Sequence, residues 1–127
     1  LLDIEYCFAT IKESDKAITG IEELANKPLL LPSKKTNSRI ILEKIFNKKN
    51  IVTNPIMELD TTGMILNYIK EGIGIGYIPK KIAEQENLIV LPILDELPKV
   101  PISLIYSEES LTSSSKEFIK KIDNQEL

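Results

Sequence analysis

Apolar residues fall in short bursts whose internal spacing changes along the chain, and each change marks a new element. From Leu2 to Ile11 the alternation predicts a strand, broken by Ser14-Asp15-Lys16. Thr19 to Ala25 then predicts a short helix, with Thr19 as its cap and Glu22 and Glu23 in the first turn, where the helix dipole favours negative charge. Pro28 introduces Leu29-Leu30-Leu31, a short buried strand ending at Pro32-Ser33. Three capping candidates, Thr36, Asn37 and Ser38, precede a helical stripe of Ile40, Ile41, Leu42, Ile45 and Phe46, which Lys48, Lys49 and Asn50 close. Ile56 to Leu59 is a brief strand.

The stretch Leu59 to Pro79 is the most informative. Asp60 or Thr61 can cap a helix whose stripe is Met64, Ile65, Tyr68 and Ile69. Gly72 stands where that helix must turn left-handed to stop. Ile73 to Ile78, interleaved with Gly74 and Gly76, predicts a buried strand, and Pro79 can open the next helix at its first position. A glycine cluster invites a phosphate-binding reading, but a dinucleotide loop needs strand, glycines and helix in that order, so that the phosphate meets a helix N-terminus. Here the order is inverted, so the glycines are read as a C-cap and as close strand packing. Strand, helix, strand, helix and strand in succession predict a parallel α/β sheet. Beyond Pro79 the pattern gives a short helix over Lys80 to Glu86, a strand over Leu88 to Leu91, a polar connection around Pro98, a strand over Ile102 to Tyr106 and a last helix with Phe118, Ile119 and Ile122 on one side.

Composition adds bounds. The 127 residues suit one domain, and a net charge of −3 with both signs interspersed gives no basic patch for a phosphate backbone or an anionic membrane. No apolar run approaches the about 20 residues needed to span a bilayer, and with no signal peptide a reducing cytoplasm is expected. With no histidine and one cysteine, Cys7, neither the usual metal clusters nor a histidine-assisted nucleophile can be built. Cys7 lies in an apolar strand and is read as a buried structural thiol. The acidic pairs Glu22-Glu23 and Glu108-Glu109 read as solvated faces, so no enzyme, cofactor or metal site is expected.

The run Gly20 to Leu30, then Arg39 after a polar loop, then Glu58, Thr61, Ile69, Gly72-Ile73-Gly74-Ile75-Gly76 and Pro79 together resemble the effector-binding domain of LysR-type transcriptional regulators. Leu88 to Pro92, Pro101 to Tyr106 and the closing helix with Phe118 and Ile119 extend the resemblance over nearly the whole chain. Each motif alone is loose; their order and spacing carry the likeness. It implies a type 2 periplasmic-binding-protein-like α/β fold, two subdomains joined by crossing strands with a small effector in the cleft. On that reading residues 16–97 form a complete second subdomain, while residues 1–15 and 98–127 supply crossing strands and a closing helix of the first. The chain opens on Leu1 and is expected to be a piece of a longer protein, with DNA binding by a helix-turn-helix outside it. Side-by-side pairing through the helix Ser38 to Phe46 and the strand Ile56 to Leu59 is implied as well, giving a homodimer or larger homo-oligomer.

The cleft can also be reasoned from physics alone. In open α/β sheets ligands bind beyond the carboxyl ends of the strands, where helix N-termini offer unpaired N–H groups. Two such corners stand out: Ser33, Thr36, Asn37 and Ser38 after one strand, and Thr61 and Thr62 after another. Their hydroxyls and amides suit a carboxylate or other small anion as effector, though each residue can equally serve as a helix cap. Arg39 is open between effector contact and a salt bridge, and Tyr77 between a cleft hydroxyl and core. A solute-binding protein of a transport system is the alternative function on the same fold.

Overall fold

The alternation at the start of the chain forms β1 (Asp3–Thr10), whose residues from Tyr6 onward are all buried. The structure, a computed structural model, describes residues 3–101. After β1 come α1 (Ile21–Leu24), β2 (Leu29–Pro32), α2 (Asn37–Lys48), β3 (Met57–Leu59), α3 (Thr62–Lys70), β4 (Ile75–Pro79), α4 (Lys80–Gln85), β5 (Ile89–Val90) and β6 (Lys99–Pro101). The expected strand Ile102 to Tyr106 and the last helix lie outside the described residues.

The sheet order is β3-β2-β4-β1-β5, with β6 pairing the outer end of β1. β3, β2 and β4 are parallel, as the alternation of strand and helix predicts. β1 is antiparallel to β4, β5 and β6; Phe8 stands opposite Tyr77 and Tyr6 opposite Pro79, while Asp3 to Glu5 pair with β6. Successive side chains of β2 point to opposite faces, so the sheet is covered on both. Leu29 and Leu31 pack with Leu42 and Phe46 of α2 and with Ile21 and Leu24 of α1. Leu30 packs on the other face with Ile65 and Ile69 of α3 and Ala83 of α4.

The glycines behave as packing devices. Gly72 ends α3 at φ 77°. A Cβ on Gly74 would meet the Pro28 carbonyl oxygen at 2.5 Å, and one on Gly76 would collide with Ile65 and Ile69, so α3 lies directly on β4. Two local expectations need correction. Thr19 does not cap α1: Gly20 holds that position, and Asp95, far along the chain, accepts the Ile21 N–H at 3.0 Å. Pro79 is the last residue of β4 and the N-cap of α4 rather than its first helical residue.

Candidate functional site

The three parallel strands end along one edge, at Pro32, Leu59 and Pro79, and the register of β1 brings Tyr6 to the same edge. The connection after β2 passes to the α1/α2 face, whereas those after β3 and β4 pass to the α3/α4 face. Adjacent strands whose connections leave in opposite directions open a crevice at their carboxyl ends, and β2 beside β4 is such a pair.

On the α2 side of this crevice the expected residues are brought together. Thr36 caps α2: its hydroxyl donates to the Ser33 carbonyl at 2.9 Å and accepts the Arg39 N–H at 3.3 Å. The Ser38 hydroxyl donates to it at 3.4 Å. The first-turn N–H groups of Asn37 and Ser38 have no carbonyl one turn back within the helix to pair with. Ser38 is buried, and the amide nitrogen of the half-buried Asn37 is a buried donor without a partner among the described residues. Thr61 and Thr62 stand at the next corner. Thr61 caps α3 by accepting the Met64 N–H at 3.2 Å, while Asp60 is exposed and caps nothing. The Ser33 N–H donates to the Leu59 carbonyl at 2.9 Å, which fastens the two corners side by side, although α3 runs off on the opposite face of the sheet.

Arg39 lies beneath both corners. It is 2% exposed, and its Nη1 donates to the Pro32 carbonyl at 2.8 Å and to Glu58 Oε2 at 2.7 Å, while Nε reaches Glu43 Oε1 at 3.1 Å. Those donors are committed to the protein, so the salt-bridge reading of Arg39 holds. Glu43 also accepts from the Thr53 hydroxyl.

Two tyrosines complete the α2 side. The Tyr6 ring is 5.0 Å from that of Tyr77, which is 4.9 Å from Phe8. Burial raises the pKa of the Tyr6 phenol, and the neighbouring Ser38 side chain opposes part of that rise. Tyr77 is 0% exposed; burial, with Tyr6 next, pushes its phenol up, and its hydroxyl has no partner among the described residues. A buried hydroxyl left unpaired costs about 1–3 kcal/mol. Both phenols are therefore protonated at neutral pH and able to donate. Tyr6 was hidden in the sequence by the strand alternation around it; the only signal was a second polar-tipped aromatic in the strand that proves to be its neighbour.

Tyr6 also lines a separate hollow of about 440 Å³ between β1, β6 and the segment from Val90 to Leu97, with Glu5, Lys80, Asp95, Glu96 and Lys99 on its walls. None of the six expected site residues borders it. Burial pushes the Cys7 thiol up to about 12, far from a nucleophile's range. Among the described residues no group of acidic or cysteine side chains could hold a metal ion, and no helix is long and apolar enough to cross a membrane. The arrangement offers hydrogen-bond donors at the carboxyl ends of the parallel strands. It suits capture of an acceptor-rich small molecule.

Known proteins share this architecture. The family model for the LysR substrate binding domain matches residues 5–125. The HTH-type transcriptional regulator SoxR of Arthrobacter sp. (strain TE1826) is 32% identical over 108 residues, covering 81% of this chain and 37% of that protein. The chain spans well under half the length of the curated relatives it matches. Among solved structures, the effector binding domain of QuiR in complex with shikimate superposes with a TM-score of 0.68 at 16% identity, over 79% of this chain and 50% of that one. The BenM effector binding domain with its effector benzoate gives 0.58 at 18% identity, over 88% and 64%. At such identities the likeness is one of fold.

Proposed function

The chain belongs to the LysR substrate-binding domain family, and from that premise we propose that it senses a small-molecule effector for a bacterial transcriptional regulator acting in the cytoplasm. Its fold is the type 2 periplasmic-binding-protein-like α/β fold. The curated relatives that match about four fifths of the chain are named as HTH-type transcriptional regulators, so the transport alternative has no support beyond shared architecture. In this reading DNA is contacted by a helix-turn-helix outside the chain. The hinge to a first subdomain runs through β1 and β6, with residues 16–97 as the second subdomain.

The observation that carries the proposal is the gathering of Ser33, Thr36, Asn37 and Ser38 at the carboxyl ends of β2 and β4, where the Asn37 amide nitrogen and the first-turn N–H groups of α2 are left to donate while the Thr36 and Ser38 hydroxyls brace the turn. A carboxylate or other small anion is the ligand class such donors favour. Thr61 and Thr62 supply the second corner. Effector binding in the cleft biases the pose of the subdomains, and through it the tethered DNA-binding parts. Pairing of two copies uses α2 and the edge strand β3, where Ile40 and Ile56 are exposed.

Thermal unfolding of the full-length protein against a panel of small carboxylates, with benzoate and shikimate included, tests the proposal. A ligand that binds only the folded state raises the midpoint in a concentration-dependent way. Silence across the whole panel overturns it.

A further inference from the structure

Tyr77 occupies a position that packing alone does not explain. Its ring is held between Tyr6 and Phe8, and phenylalanine would satisfy every one of those contacts. The hydroxyl adds a buried donor that nothing among the described residues accepts. Native interiors pair nearly all such groups, so one left open calls for an acceptor that comes and goes. The surroundings say where that acceptor sits. Tyr77 is the middle residue of β4, two positions short of the edge where ligands of open α/β sheets are met, and its ring lies against Tyr6, which stands opposite Pro79 at that edge, on the face of the sheet that α2 covers. A second unpaired buried donor, the Asn37 amide nitrogen, belongs to the first turn of α2.

We propose that the Tyr77 hydroxyl is an effector-binding donor at the floor of the α2 corner, taking a hydrogen bond acceptor of the bound molecule while the helix N-terminus takes its anionic group. This inference rests on the effector-sensing reading above and narrows the ligand class to small carboxylates bearing a further oxygen acceptor. Both phenols being protonated, the site donates to such an oxygen across the neutral range. The nearby Arg39 is not an alternative donor at Nε or Nη1, because those atoms are engaged by Glu43, Glu58 and the Pro32 carbonyl.

The test compares full-length wild-type protein with Tyr77→Phe in two measurements. The first needs no ligand: in its absence, removal of an unsatisfied hydroxyl leaves the urea midpoint unchanged or raises it. A lowered midpoint means that the protein itself satisfies the hydroxyl, and overturns the proposal. In the second, the carboxylates of the panel that stabilise the wild type, shikimate included, are titrated calorimetrically into both proteins. The variant is expected to bind the hydroxyl-bearing ligand about ten-fold more weakly, the loss of one buried hydrogen bond. Its affinity for benzoate, which has no oxygen besides the carboxylate, falls less. Equal affinities for wild type and variant overturn the role of Tyr77 alone, whereas a wild type that binds no member of the panel overturns the effector reading beneath it.

Discussion

At the scale of single residues, Arg39 shows how far a sequence can be read. Its position before an apolar helix was visible, but its partners come from three places, the end of β2, the end of β3 and one helical turn ahead. No local pattern joins those places. Once folded, the guanidinium fork ties the residue before Ser33 to the strand that ends just before Thr61, so one buried cation holds both candidate corners in register. Replacement by methionine strands two carboxylates and a carbonyl. Glu43 and Glu58 keep 27% and 37% of their side-chain surface, so water relieves part of the penalty, and a loss of about 3 kcal/mol is expected, the low end for a broken buried pair. Urea unfolding of Arg39→Met measures it. Lysine, with a point charge in place of the fork, recovers only part of the stability. Tyr77 was the harder case. An aromatic in an apolar strand reads as core, and core it is; what the sequence conceals is that its hydroxyl finds no partner among the described residues.

At the scale of elements, start and stop signals were legible wherever cap and helix are neighbours in sequence. Thr36 and Thr61 cap as their positions indicate. The stops share one device: Asn50, Gly72 and Asn87 each take positive φ. The next N–H, from Ile51, Ile73 or Leu88, then returns to the carbonyl of Phe46, Tyr68 or Ala83, and an apolar residue follows each turn. α1 is the exception because its cap is tertiary. Asp95 accepts the Ile21 N–H with one oxygen and pairs with Lys49 at 2.5 Å through the other, clasping the segment after β5 onto α1 and the end of α2. Lys49 first, and the Ile21 N–H next, hold the Asp95 carboxyl below the usual range. A depressed folded pKa contributes stability that is complete above the unfolded value, near about 3.9, and is lost as pH falls through the folded one. Asp95→Ala is therefore expected to cost about 1 kcal/mol at neutral pH, as lost caps do, and progressively less below about pH 4. Denaturation midpoints of wild type and variant across that range should converge in acid.

At the scale of the whole molecule, the parallel β3-β2-β4 core follows from alternating strands and helices, while the place of β1 does not. Periodicity marks a strand; it carries no address, and β1 inserts between β4 and β5 in the opposite sense. The other edge of the sheet bears on association. β3 is the outermost strand; Ile56, the residue before it, is 51% exposed, and Ile40 of α2 and Val52 of the connection leading to β3 are 45% and 86% exposed. An open edge beside apolar side chains invites a second copy. Sedimentation equilibrium of the full-length protein is expected to show self-association that Ile56→Lys weakens. A wild type that stays monomeric at high concentration, or a variant that pairs as well as the wild type, refutes this use of the edge.

The central position of β1 also sets a schedule for biosynthesis. β1 leaves the ribosome before the strands it pairs with and cannot take its place until β4 has followed, because its inner neighbours are Gly76 to Pro79 and Ile89 to Val90. β2, α2 and β3 can assemble beforehand from nearer contacts, which close with less loss of chain entropy. Throughout that interval Tyr6, Cys7, Phe8 and Ala9 stay unprotected, an apolar strand waiting for its slot. Nascent chains of this protein are thus most exposed to chaperones and to mispairing before the glycine strand arrives, and the arrival of that strand seals the fold.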